Sequence, residues 1–333
     1  MSDQAINTLE FSKTLRKRGI DKDNRKLLIS KLAGSDQEAD LTVPPNCNGF
    51  GRIRHFKRSR SKNWPNNPLP IDPVVHALGL GETDGVRAQV FQNAICNWRC
   101  WYCFVPYNLL TGDPARSSFF TAKELVELYK KEKDRPVLID LSGGQPDLIP
   151  EWIPWMMEAL IEQGLQDSVY LWSDDNLSND YFWQYLTEKE IDLVKSYKNY
   201  SRVCCFKGYN QVSFAFNTKA EKSRFDEQFA LMKRLHKLGI DLYAYATFTT
   251  PNIEGLIEDM RGFVDKLQEI HVNLPLRLVP LEIEEFGPVH SRMNEETKKA
   301  IKNQYLAVNA WTEELRKRYS STMLSEKMNL IRL

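Results

Sequence analysis

Between residues 86 and 281 short apolar runs alternate with amphipathic helical stretches, and this alternation leaves few folds open to the chain. Six runs read as strands, at 86–93, 137–141, 169–172, 203–206, 241–248 and 276–281. Helical sequence lies between them. One stretch, 122–133, opens with Thr121 and Glu124 in capping-box spacing, and another, 150–163, is stopped by Gly164. Helical sequence also runs to about 197, then over 222–238 up to Gly239, over 253–270 and finally over 295–319. Strand–helix alternation implies β-α units around a parallel sheet. The expected class is α/β, a partial (open) TIM-like (β/α)6 barrel over 86–282. It would carry an N-terminal extension, 1–85, and a C-terminal helical extension, 283–333. Ligand-bearing groups on such a sheet collect at the C-terminal ends of its strands.

The flanks read differently. Leu27, Leu28, Ile29 and Leu32 suggest a helix ending near Gly34. Over 42–73, Pro44, Pro45, Pro65, Pro68, Pro70 and Pro73 deny long helices and central strands, so 42–80 reads as an extended arm wrapping the core. The arm holds the basic run Arg52, Arg54, His55, Lys57, Arg58, Arg60 and Lys62, which suits either a phosphate-bearing partner or a solvated face. With 45 Lys+Arg against 44 Asp+Glu the net charge is only +1, which argues against a chain that is one polyanion-binding surface. No run approaches the roughly 20 apolar residues of a membrane span. The polar start of the chain lacks a signal-peptide core, so a cytoplasmic location with reduced thiols is expected.

Six cysteines are present, and three fall within eight residues: Cys96, Cys100 and Cys103. Clustering of this kind in a reducing compartment points to metal ligation or catalysis rather than a disulfide framework. Thiolates at spacings of four and three suit an iron–sulfur cluster, and three ligands to a four-iron cubane leave one iron open to an exogenous molecule. Zinc is the alternative, but a structural zinc site is normally closed by four ligands. No Cys or His follows Cys103 until Cys204. Cys204 and Cys205 are neighbours on a strand and face opposite ways, so buried structural thiols are expected there, while Cys47 stays unassigned. Trp152, Trp155, Met156 and Met157 read as core.

Cys-x3-Cys-x2-Cys with Tyr102 before the last cysteine, on a loop after the first strand, resembles the signature of radical S-adenosylmethionine enzymes. The resemblance implies that Cys96, Cys100 and Cys103 hold one 4Fe-4S cluster whose open iron chelates S-adenosyl-L-methionine. One-electron cleavage would then yield a 5′-deoxyadenosyl radical that abstracts hydrogen from a substrate. Tyr102 would lie near the adenine. Gly143-Gly144-Gln145-Pro146 stands where the family has Gly-Gly-Glu-Pro, and its backbone would meet the methionyl ammonium, with Gln145 lacking the usual charge. Ser173, Asp174 and Asn176 would meet the ribose, or else cap the next helix. Lys207, in a Phe-Lys-Gly context similar to activating-enzyme members, would reach the ribose or carboxylate. No cysteine follows Cys205, which implies a single-cluster oxidoreductase served by an electron donor such as flavodoxin or ferredoxin. No catalytic side chain is assigned. The substrate is left open between a protein that receives a glycyl radical and a nucleotide or other small molecule. The reading from another class is a non-catalytic iron–sulfur or zinc protein.

Overall fold

The computed structural model describes residues 5–59, 61 and 63–333, so Arg60 and Lys62 of the basic run lie outside the described residues. Ten strands are found among the described residues. They are β1 Ile20–Asp21, β2 Lys26–Ser30, β3 Gly51–Lys57, β4 Gly85–Gln92, β5 Ser117–Thr121, β6 Leu138–Ser142, β7 Tyr170–Asp175, β8 Tyr200–Phe206, β9 Leu242–Ala246 and β10 Leu278–Pro280. Seven of them form one curled sheet in the order β10-β9-β8-β7-β6-β4-β3, an open half-barrel. The strands from β4 to β10 in this sheet pair in parallel, and they occupy the six expected positions. Helices such as Ala122–Lys131, Trp152–Glu162, Arg224–His236 and Leu256–Gln268 connect them. The capping box at Thr121 is present, with Glu124 N–H donating to Thr121 Oγ1 at 3.1 Å and Thr121 N–H to Glu124 at 2.7 Å.

Period-two alternation divides the side chains between two apolar layers. Ile139, Leu141, Leu171, Cys204 and Ala244 pack outward beneath the helices, where Trp152, Trp155, Met156 and Met157 complete the core. Leu138, Tyr170, Trp172, Val203, Tyr243 and Tyr245 face inward. Phe56, Leu69, Ile71 and Val74 from the N-terminal segment pack on this inner layer and fill the lower part of the half-barrel.

The N-terminal segment departs from expectation in two ways. Leu27-Leu28-Ile29 belongs to β2 and not to a helix; it pairs antiparallel with β5 from Lys26↔Thr121 to Ser30↔Ser117. A short apolar run has no periodicity that separates strand from helix, and pairing with a distant segment decides it. The helix of this region lies earlier, at Thr8–Gly19, capped by Asn7. The arm is also more regular than its prolines suggest. β3 lies in the proline-free gap between Pro45 and Pro65, and it joins the main sheet as an antiparallel edge, from Gly51↔Phe91 to Lys57↔Gly85. Pro73 sits in the first turn of the helix Ile71–Ala77, where a missing N–H costs nothing. No helix among the described residues is long and apolar enough to cross a membrane.

A buried ion network fastens the strand ends behind the sheet. Arg202 of β8 is fully buried and bonds both Asp175 at the end of β7, at 2.9 Å, and Asp147 in the turn after β6. Removing one member of such a network strands the others without a counter-charge. Arg202→Met is therefore expected to lower unfolding stability by about 3–5 kcal/mol, read as a shifted midpoint in urea denaturation. A midpoint equal to wild type would count against this role.

Candidate functional site

The cysteine loop leaves the C-terminal end of β4 and is held through both its N–H groups, with Cys96, Arg99 and Trp101 donating to the carbonyls of Leu110, Thr218 and Asn217, and its own carbonyls. Arg99 donates to the carbonyls of Cys96 at 2.6 Å and Trp98 at 2.8 Å. The Tyr107 hydroxyl donates to those of Arg99 and Cys100, both at 2.9 Å. Arg292, from outside the barrel, donates to Cys103 O at 2.5 Å and Val105 O at 3.1 Å while its guanidinium stacks on Tyr107. The two indoles of the motif turn into the protein: Trp98 donates to Thr8 at 3.2 Å and Trp101 to Asn217 at 3.0 Å. Cys100 and Cys103 stay half-buried and Cys96 is 9% exposed.

Burial pushes all three thiols up, Cys100 to about 12, and nearby cations pull the other way. Arg99 eases Cys96, Lys207 eases Cys100, and the Val105 N–H and Arg292 ease Cys103. Three thiols on one loop, ringed by cations that favour thiolate, suit an iron–sulfur cluster. Among the described residues no group of three His, Cys, Asp or Glu converges on a single metal ion.

The turn after β6 is built against this loop. Gly143 and Gly144 have φ of +70° and +57°, and a Cβ on Gly144 would stand 2.2 Å from Ile95 O and 2.8 Å from Asn93 O. Only glycine permits that approach. Beside it, Gln145 N–H donates to Ile95 O at 2.8 Å and Asn93 Nδ2 donates to Gln145 O at 2.9 Å. Both glycines are half-buried, and neither backbone unit hydrogen-bonds any described residue, which leaves their N–H and C=O groups free for a ligand.

The other residues singled out by sequence fall into two groups. Gln145 is fully buried with both amide atoms engaged: Nε2 donates to Asp175 at 2.8 Å and Oε1 accepts from Asn176 N–H at 2.9 Å. Pro146 is buried at the start of a short turn. Ser173 points outward and bonds the Tyr200 hydroxyl at 2.8 Å. Asn176 donates to Asn97 at 3.1 Å, and Asn97 donates to Ser12 and Ser178, so these amides brace the cysteine loop from behind. Tyr102, Asp174 and Lys207 form the inner group. The Tyr102 hydroxyl shares a 2.8 Å hydrogen bond with Thr247, and Asp174 accepts from Ser142. The backbone of Lys207 is held by Gln228 and Asn217, each at 3.0 Å, while its ammonium has no hydrogen-bond or ion-pair partner among the described residues. Burial opposes its charge, yet Cys205, Tyr102, Cys100 and Asp174 hold the ammonium protonated, above the usual lysine range.

The pleat separates Cys204, fully buried under the helices, from Cys205, which is half-buried on the inner face. Sequence reasoning overlooked Asp140, whose carboxylate pairs with Arg54 at 3.2 Å in the barrel interior. The signal was present: Arg52, Arg54 and Phe56 alternate with Ile53 and His55, the period of a strand.

No family model matches the chain. A 7-carboxy-7-deazaguanine synthase of Rhodopirellula baltica, a radical S-adenosylmethionine protein, is 30% identical over 96 residues, 29% of this chain and 35% of that one. The chain thus spans about a third of the length of that curated relative. Among solved structures, Streptococcus suis SuiB bound to S-adenosylmethionine aligns with a TM-score of 0.45 and 15% identity, over 68% of this chain and 47% of that one. SuiB bound to its precursor peptide SuiA aligns at 0.37 and 12%, over 73% and 66%. Both structural alignments are loose. What carries weight is that three thiols and a glycine turn, 40 residues apart in sequence, lock together on one rim of a parallel half-barrel. That arrangement, together with the matched stretch, makes the chain similar to radical S-adenosylmethionine proteins.

Proposed function

We propose that this protein is a radical S-adenosylmethionine enzyme in which Cys96, Cys100 and Cys103 hold one 4Fe-4S cluster. The observation that carries this reading is the contact of Gly144 with Ile95 O, because it sets a free backbone turn beside the three thiols. When bound, the reduced cluster supplies the electron that cleaves S-adenosylmethionine and so generates a hydrogen-abstracting 5′-deoxyadenosyl radical. The chain's own residues position and shield. Free N–H and C=O groups of Gly143 and Gly144 suit the methionyl end of the cofactor, and the Tyr102 ring suits the adenine. Lys207 and Asp174, at the inner ends of β8 and β7, suit its carboxylate and its ribose hydroxyls. Gln145, Pro146, Ser173 and Asn176 act behind them by fixing the turns. Residues 86–282 would carry the reaction, with 1–85 and 283–333 shaping access. An electron donor such as flavodoxin or ferredoxin would approach the outer side of the loop. A cavity of about 930 Å³ opens there, against Trp101, Tyr107, Lys219 and Arg292.

Protein reconstituted anaerobically with iron and sulfide, then given dithionite and S-adenosylmethionine, is expected to release 5′-deoxyadenosine. Cys100→Ser should fall to the level of the protein-free control. Equal product from both proteins would overturn the reading. A shift of the reduced cluster's electron-resonance signal on adding S-adenosylmethionine tests cofactor binding without turnover.

Cluster assembly must also take protons from thiols that burial holds protonated. Since ligation releases those protons, iron uptake should strengthen as pH rises. Iron per chain after reconstitution is expected to be lower at about pH 6.5 than at about pH 8.5; a flat or reversed profile would contradict three thiolate ligands.

A further inference from the structure

Arg52 is a buried cation inside the barrel to which the proposed function gives no role. It stands on β3 opposite Val90 and shares that residue's inward face, since directly opposed residues of a sheet point the same way. It is 4% exposed, yet its Nε and Nη2 make no hydrogen bond with any described residue. Its guanidinium lies 5.0 Å from the centre of the Phe104 ring, next to Cys103. Neighbouring Arg54 pairs with Asp140 at 3.2 Å, whereas Arg52 has no ion-pair partner among the described residues. A buried charge with unmade donors is costly, and native proteins rarely keep one without a use.

The groups around this buried guanidinium are more open than it is, and they are anion-seeking. Asp174 and Cys205 lie on strands paired on both sides, and their side chains point inward. Both are nonetheless half-buried, so the solvent that reaches them occupies the barrel interior. Arg54 and Lys207 are half-buried in the same way. Arg52 and Arg54 face two carboxylates here, Asp140 and Asp174, and burial together with Asp174 raises the Asp140 carboxyl to about 7 against the pull of Arg54 and Arg52, which tips the balance toward positive.

We propose that Arg52 anchors an oxyanion of the substrate, a carboxylate or phosphoryl group, inside the half-barrel beneath the cysteine loop. The anion site follows from Arg52 itself; only its assignment to the substrate rests on the radical S-adenosylmethionine reading. A guanidinium with two free donors on one edge matches such a group with paired hydrogen bonds. Small anionic substrates are thereby favoured over a protein loop lacking a negative charge.

The test is calorimetric titration of the full-length protein, reconstituted and saturated with S-adenosylmethionine but without reductant. Inorganic phosphate and acetate are the two probes and acetamide the neutral control. Saturable binding of one ion per chain is expected, with no binding of acetamide. Tighter phosphate identifies a phosphoryl substrate and tighter acetate a carboxylate. Arg52→Gln should weaken binding by about tenfold or more, Arg52→Lys by less, and Lys57→Gln on the exposed end of the same strand not at all. Arg52→Met, which removes the charge without leaving an unpaired donor, replaces Arg52→Gln if that variant does not fold. Absence of saturable binding, equal affinity in the charge-removing variant, or binding seen only without S-adenosylmethionine would each overturn the proposal. The last outcome would give Arg52 to the cofactor. Because no turnover is read, failure here is distinct from failure to form 5′-deoxyadenosine.

Discussion

The arrangement of the site depends on one backbone contact. Where the chain turns after β6, Gly144 approaches so near to Ile95 O that any side chain would collide, and Gln145 N–H closes the gap with a hydrogen bond to the same oxygen. That oxygen belongs to the residue immediately before Cys96. The position of the first cysteine and the direction of the free glycine backbone are therefore set together. Amides then extend the bracing from the β6 turn to the β7 turn, through Gln145, Asp175, Asn176 and Asn97. A carboxylate in place of Gln145 would bring a second negative charge beside Asp175. The amide instead donates to Asp175 and accepts from Asn176, which gives a physical reason for a neutral residue at this position.

The two faces of the half-barrel use charge differently. On the outer face the buried arginines are paired with carboxylates: Arg202 is shared by Asp147 and Asp175, and Arg16 grips Glu151 and the carbonyl of Leu148. Such pairs hold turns in register. On the inner face the Lys207 ammonium and the Arg52 Nε and Nη2 have no hydrogen-bond partner among the described residues, and Cys205 and Asp174 remain half-buried. Rigidity behind and unmet polar demand in front is the division expected of a scaffold that positions ligands. The near-zero net charge of the chain conceals this local excess of positive charge.

Much of this was legible in the amino-acid order. The six parallel strands fall within a few residues of their expected places because buried β-runs between helices carry a strong pattern. Cys96, Cys100, Cys103, Gly143 and Gly144 announce themselves by spacing and type. Less legible was anything that depended on a distant partner. β2 looked helical until β5 was beside it, and β3 was hidden in a proline-rich arm although its own seven residues contain no proline. Ser173 and Gln145 looked like ligand contacts because they end strands, yet the pleat and a hydrogen-bond network turn their side chains away.

The sequence alone determined the grouping of three thiols on one loop, the α/β class and which turns are polar, since these follow from residue type and local period. Only the tertiary structure decided which side of each strand end faces the interior, and that an arginine from the arm enters the barrel with its donors unmet. The reason is physical: a side chain's identity is local, but its burial and its partners come from strands brought together across tens of residues.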